Sequence, residues 1–133
     1  MAARVLVVAL AVFLAGFGLV SHHDWSRCID ENTLVFRVGT GKQKHVTDTE
    51  VDNLKAACRG SHILALGANV MAEHRQPRAA IRLSDEAIRR EPENFEGWVA
   101  LSRALRDRNL DAAAARALRK ALQLNPRFGT ETG

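Results

Sequence analysis

At 133 residues the chain holds one small domain besides any leader. Its net charge of +4 is modest. Acidic and basic residues interleave through the second half, which describes solvated helix faces and excludes the basic stripe of a nucleic-acid binder. The abundance of Ala, Leu and Arg and the absence of Tyr fit an all-α protein.

The first 21 residues differ in kind. After Arg4 comes Val5–Val20, sixteen residues without a charged or polar side chain. As a helix this run measures about 24 Å, close to the ~30 Å of a bilayer core. Ala2, Ala3 and Ser21 extend it, and Trp25 falls where an interface aromatic belongs. The run reads as an uncleaved signal anchor or transmembrane helix over 1–21, with residues 4–21 in the membrane. A cleaved export leader, which would give a secreted protein, and a buried core helix are the alternatives. Arg4 and the terminal amine before the span nearly balance Arg27 and Arg37 after it. A short basic start before an apolar run is the form of an export leader. Residues 22–133 are therefore expected outside the cytoplasm, on a single-pass membrane protein.

Residues 22–60 form an extracytoplasmic linker. His22-His23 beside the span suits a polar cap better than a ligand set. "ENTLVFRV" either continues a helix from the membrane or forms a short strand, and "GTGKQKH" is loop by composition. Cys28 and Cys58 are the only cysteines, and in an oxidising compartment such a pair is a candidate disulfide. Two unrelated small core residues are the alternative. Closing a loop of this size would contribute roughly 3–4 kcal/mol in the chain-entropy treatment. The spacing of Thr47 and Glu50 is a capping box, and Val51, Leu54, Ala57 and Cys58 share one helical face. A capping helix is expected at about 48–59.

Sliding the sequence by thirty-four residues places Leu64 on Trp98, Met71 on Leu105, Ala80 on Ala114, Ala87 on Ala121 and Pro92 on Pro126. One unit is written twice, 61–94 and 95–128. In the second copy Trp98, Leu101, Ala104 and Leu105 mark one helix, and Ala114, Ala117, Leu118, Ala121 and Leu122 mark another. Asn109 between them suits a left-handed helix ending. In the first copy Ile63, Leu64, Gly67, Val70 and Met71 are followed by Pro77, Ala80, Leu83, Ala87 and Ile88. Pro77 is placed for a first helical turn.

These residues resemble two tetratricopeptide repeats. The second copy shows Trp98-x2-Leu101-Ser102-x2-Leu105, Ala114-x3-Leu118, Ala121 and Pro126; the first shows Leu64-x2-Gly67-Ala68-x2-Met71, Ala80-x3-Ser84, Ala87 and Pro92. Ser84 stands where that pattern has a core aromatic, so looser packing is expected there. The resemblance implies a small α-solenoid whose first helices line a groove for a peptide or partner helix. By helical phase the groove residues are Asn69, Ala72 and Glu73, then Val99, Arg103 and Arg106. The two arginines suggest an acidic or carboxylate-bearing partner segment.

After Pro126 only "RFGTETG" remains. Leu118, Leu122 and Leu124 are expected half-exposed, with Phe128 folded back as a partial lid and self-association as a consequence. The sequence shows no nucleophile–base pair, carboxylate pair or metal-ligand spacing, and neither an enzyme nor a cofactor is expected. The reading is a membrane-anchored interaction module; a homo-oligomerising structural protein is the runner-up.

Overall fold

The computed structural model describes residues 26–129. The anchor over 1–21 and residues 130–133 of the tail expected over 129–133 lie outside the described residues. Among the described residues there are six α-helices and no strand. No described helix is long and apolar enough to cross a membrane.

Helix α1 covers 26–39, which resolves "ENTLVFRV" as helix rather than strand. Gly41, at φ 70°, turns the chain into the loop that follows. Helix α2 (Asp48–Ala57) opens on the expected box: the Glu50 amide donates to the Thr47 hydroxyl, and the Thr47 amide donates to the Glu50 carboxylate at 2.9 Å. It ends two residues before the expected Arg59. Cys58 takes an extended backbone, φ −99° and ψ 113°, and turns the chain into the next helix. Helices α3 (Ser61–Glu73), α4 (Pro77–Arg90), α5 (Phe95–Arg106) and α6 (Asp111–Leu124) follow, then a 3-10 turn over Pro126–Gly129. Pro77 occupies the first turn of α4, where its missing N–H costs nothing. Asn94 caps α5 by accepting from the Glu96 amide.

The helices pair as α3 with α4 and α5 with α6, and α5 packs on both members of the preceding pair. Upstream, a Cβ on Gly67 of α3 would lie 3.3 Å from Val35 of α1, and one on Gly39 would lie 3.4 Å from Val70. Thus α1 runs alongside α3, while α2 packs on α4. The result is a solenoid-like stack of helical hairpins. Its core gathers Leu34, Val38, Leu54, Leu64, Met71 and Leu83 from α1 to α4. Gly67 sits where Val35, Leu54 and Leu83 converge from three helices, so the missing side chain is what lets them meet. Gly97 does the same for α5 on α4: a Cβ there would meet Ile88 at 3.1 Å.

Ser84 is fully buried, its hydroxyl donating to the Ala80 carbonyl at 2.8 Å. Cys28 and Cys58 are bonded, with Cα atoms 4.7 Å apart, which ties α1 to the end of α2.

Backbone hydrogen bonds repeat with the sequence. Gln76 N–H reaches Met71 C=O and Leu110 N–H reaches Leu105 C=O; Glu91 reaches Ala87 and Asn125 reaches Ala121. Each pair is offset by thirty-four residues.

Candidate functional site

On α3, His62, Leu66, Asn69 and Glu73 recur at the spacing of one helical stripe, and none of them is buried. On α5 the corresponding face carries Glu96, Val99 and Arg103. Between these stripes lies a groove of about 270 Å³, walled by Asn69 and Glu73 on one side and Phe95, Glu96, Val99 and Arg103 on the other. Phe128, from the 3-10 turn, closes one end; its ring centroid is 5.8 Å from that of Phe95. The volume falls below the usual range for small-molecule pockets and suits one or two side chains of a peptide.

Asn69 and Arg103 occupy equivalent positions in the two copies, and stacking brings them face to face. Arg103 Nη1 donates to Asn69 Oδ1 at 3.1 Å and lies 3.5 Å from Glu73 Oε1. Asn69 is itself oriented by a hydrogen bond from its amide to the Ala65 carbonyl at 3.1 Å. At the opposite end, His62 Nδ1 stands 3.8 Å from Glu96 Oε2.

Of the residues placed in the groove by helical phase, Asn69, Glu73, Val99 and Arg103 come together. Val99 is its floor, 5 % exposed. Two do not line it. Ala72 is buried, also at 5 %, and Arg106 is exposed one turn further along α5. The groove is therefore of mixed charge. Two carboxylates, Glu73 and Glu96, line it with one guanidinium, and that guanidinium already faces Glu73. Phase alone missed Phe95 and Glu96. The available signal was the boundary of the repeat: Phe95 opens the second unit and Phe128 closes it. Among the described residues no group of His, Cys, Asp and Glu is arranged to hold a metal ion.

Comparison with protein-family models, with curated proteins and with solved structures finds no match to this chain. The likeness to tetratricopeptide repeats thus rests on the sequence pattern alone.

Proposed function

We propose that the chain is a tetratricopeptide-type interaction module, held in a membrane by residues 4–21 and displayed outside the cytoplasm, that receives a peptide segment of a partner protein between α3 and α5. The observation that carries this is the meeting of Asn69 and Arg103, equivalent residues of two stacked units, in one open groove floored by Val99. Preformed concave sites with an apolar floor and a few convergent polar groups are where side chains dock. The Cys28–Cys58 bond suits an oxidising compartment, in keeping with the proposed topology.

Photo-crosslinking residues at positions 69, 99 and 103, compared with 116 and 123 on the exposed side of α6, test the reading in intact cells. Adducts are expected from the first set and not from the second; equal yields from both sets would remove the groove assignment.

Half-exposed Leu105, Leu118 and Leu122 at the last hairpin favour a second reading, self-association through that end. A full-length chain that stays monomeric in detergent would exclude it.

A further inference from the structure

Charges that alternate along the sequence separate in the fold. Gly67 lies against Val35 and Gly39 against Val70, so α1 and α3 advance in the same direction. His62 meets Glu96 and Asn69 meets Arg103, so α5 follows in parallel. The last turns of α1, α3 and α5 therefore share one edge of the stack with the chain reversals that follow them. The Gln76 side-chain amide donates to the Lys44 carbonyl, which joins the loop after α1 to the bend after α3. The bend at Asn109 repeats the one at Arg75 in the next hairpin. Lys42, Lys44, Arg75, Arg106 and Arg108 are all exposed along this edge. Among the described residues their side chains form no ion pair and no hydrogen bond. The nearby acids are fewer. Glu73 is engaged by Arg103, and Asp48 by Arg78 and Arg82, which leaves Asp107 and Asp111 as the acids free among the described residues of this edge.

Arg75 points to a use for this charge. Its left-handed backbone costs an arginine more than it costs Asn109 at the equivalent position, yet nothing in the described fold takes its guanidinium. Strained residues of this kind gather at functional sites. Place and spacing then specify the occupant. Four residues separate the membrane span proposed over 4–21 from α1, and α1 sets about 20 Å between its start and this edge. That exceeds the ~8–10 Å over which salt screens charge, so the headgroups beside the span are not the counterions. Packed helices lie about 8–10 Å apart, and the cations recur at that interval from bend to bend. A polyproline-II segment brings every third residue to one side, about 9 Å apart. Leu110, 47 % exposed and two residues from Arg108, adds an apolar contact for which a phosphate polymer has no group. We propose that this edge binds an extended acidic segment of a partner protein. Carboxylates at every third residue meet Lys42 and Lys44, then Arg75, then Arg106 and Arg108, and one apolar side chain rests on Leu110. The site lies apart from the groove between α3 and α5 and does not rest on it.

The test uses the full-length chain in zwitterionic nanodiscs, with empty nanodiscs subtracted. The probe is a fluorescent proline-rich peptide with glutamate at every third residue and one leucine near its end. One twin carries glutamine for glutamate, and another carries serine for leucine. The glutamate peptide is expected to bind, more weakly at high salt. The glutamine twin is expected not to bind, and the serine twin to bind several-fold more weakly. Arg75→Gly is expected to weaken binding several-fold, and Arg108→Glu about tenfold. Arg75→Gly discriminates, because it relieves the backbone while removing the guanidinium: a protein that melts higher and binds less is the expected result. Unchanged binding in both variants overturns the proposal. Loss of binding in Phe128→Ala with none in Arg75→Gly places the peptide in the groove and overturns it as well. Sedimentation with phosphatidylglycerol vesicles that is lost in Arg108→Glu would assign the edge to a lipid surface instead. Equal binding of the leucine and serine peptides, with tighter binding of inorganic polyphosphate, would assign it to a phosphate polymer.

Discussion

Arg75 and Asn109 share a backbone conformation that side chains rarely adopt, with φ 58° and φ 60°. They are thirty-four residues apart and do the same work. Each ends the first helix of its hairpin in a left-handed turn, so that the next amide reaches back five residues, Gln76 to Met71 at 2.8 Å and Leu110 to Leu105 at 3.0 Å. Asn tolerates this conformation; Arg carries the full steric cost of its Cβ. Arg75→Gly is therefore expected to stabilise by about 0.5–1 kcal/mol, the relief outweighing the added freedom of the unfolded chain. Arg75→Val should destabilise, because a β-branched residue fits worse still. Thermal melts of the two variants in parallel should move in opposite directions. The sequence pointed to Asn109 and was silent on Arg75, since nothing in an arginine's chemistry advertises a left-handed turn. Only the thirty-four-residue offset connects the two.

At the scale of elements, α2 and α4 are joined by charge. Arg82 bridges Asp48 at 2.9 Å and Asp52 at 2.6 Å, and Arg78 adds a second hold on Asp48. Arg90 donates to the carbonyls of Lys55 and Cys58, satisfying the end of α2, while its Nε holds Glu86 at 2.7 Å. The Arg89 guanidinium, with Arg90 beside it, holds the Glu86 carboxyl down to about 2 from its ordinary 4.5. Because the folded value lies below the unfolded one, this contribution is complete above pH 4.5 and disappears as pH falls toward 2. Arg89 is well exposed, so solvent screens much of this contribution. Glu86→Gln should make the acid limb of the melting-temperature profile shallower. A slope remains, because Arg82 also lowers Asp52 and the Thr47 amide lowers Glu50.

The box that starts α2 was legible because both of its residues lie within one turn. Its early end and its seam with α4 were not. Arg90 reaches carbonyls 32 and 35 residues away, a relation that exists only after the hairpins stack. The groove divides the same way. Helical phase found Asn69, Glu73, Val99 and Arg103, but the neutralising of Arg103 by a residue 30 positions earlier required the fold.

Across the whole molecule the two copies share a pattern and differ in cover. Leu64, Met71 and Ser84 are wholly buried, whereas their counterparts Trp98, Leu105 and Leu118 are half-exposed. The reason is position. Among the described residues the first hairpin has neighbours on both sides, and the second is followed by the short turn over Pro126–Gly129. Amide exchange should accordingly be slowest in α3 and α4 and measurably faster in α6, read by mass spectrometry on the native chain. Uniform protection across the four helices would mean that the far end is covered in solution.

The bends at Arg75 and Asn109 contain no spare residue. Gln76 closes one helix and caps the next, and Leu110 does both jobs in the second unit. One residue added at either bend would rotate everything after it by about 100° and turn its greasy side to water. Of the eight residues between α1 and α2, Gln43 is held by Glu50 and Lys44 by Gln76, and Thr47 caps α2, so the exposed turn over 40–42 is the part least bound by such a constraint. Foreign sequence spliced in there leaves the stack intact, whereas at the bends the molecule admits no change of length.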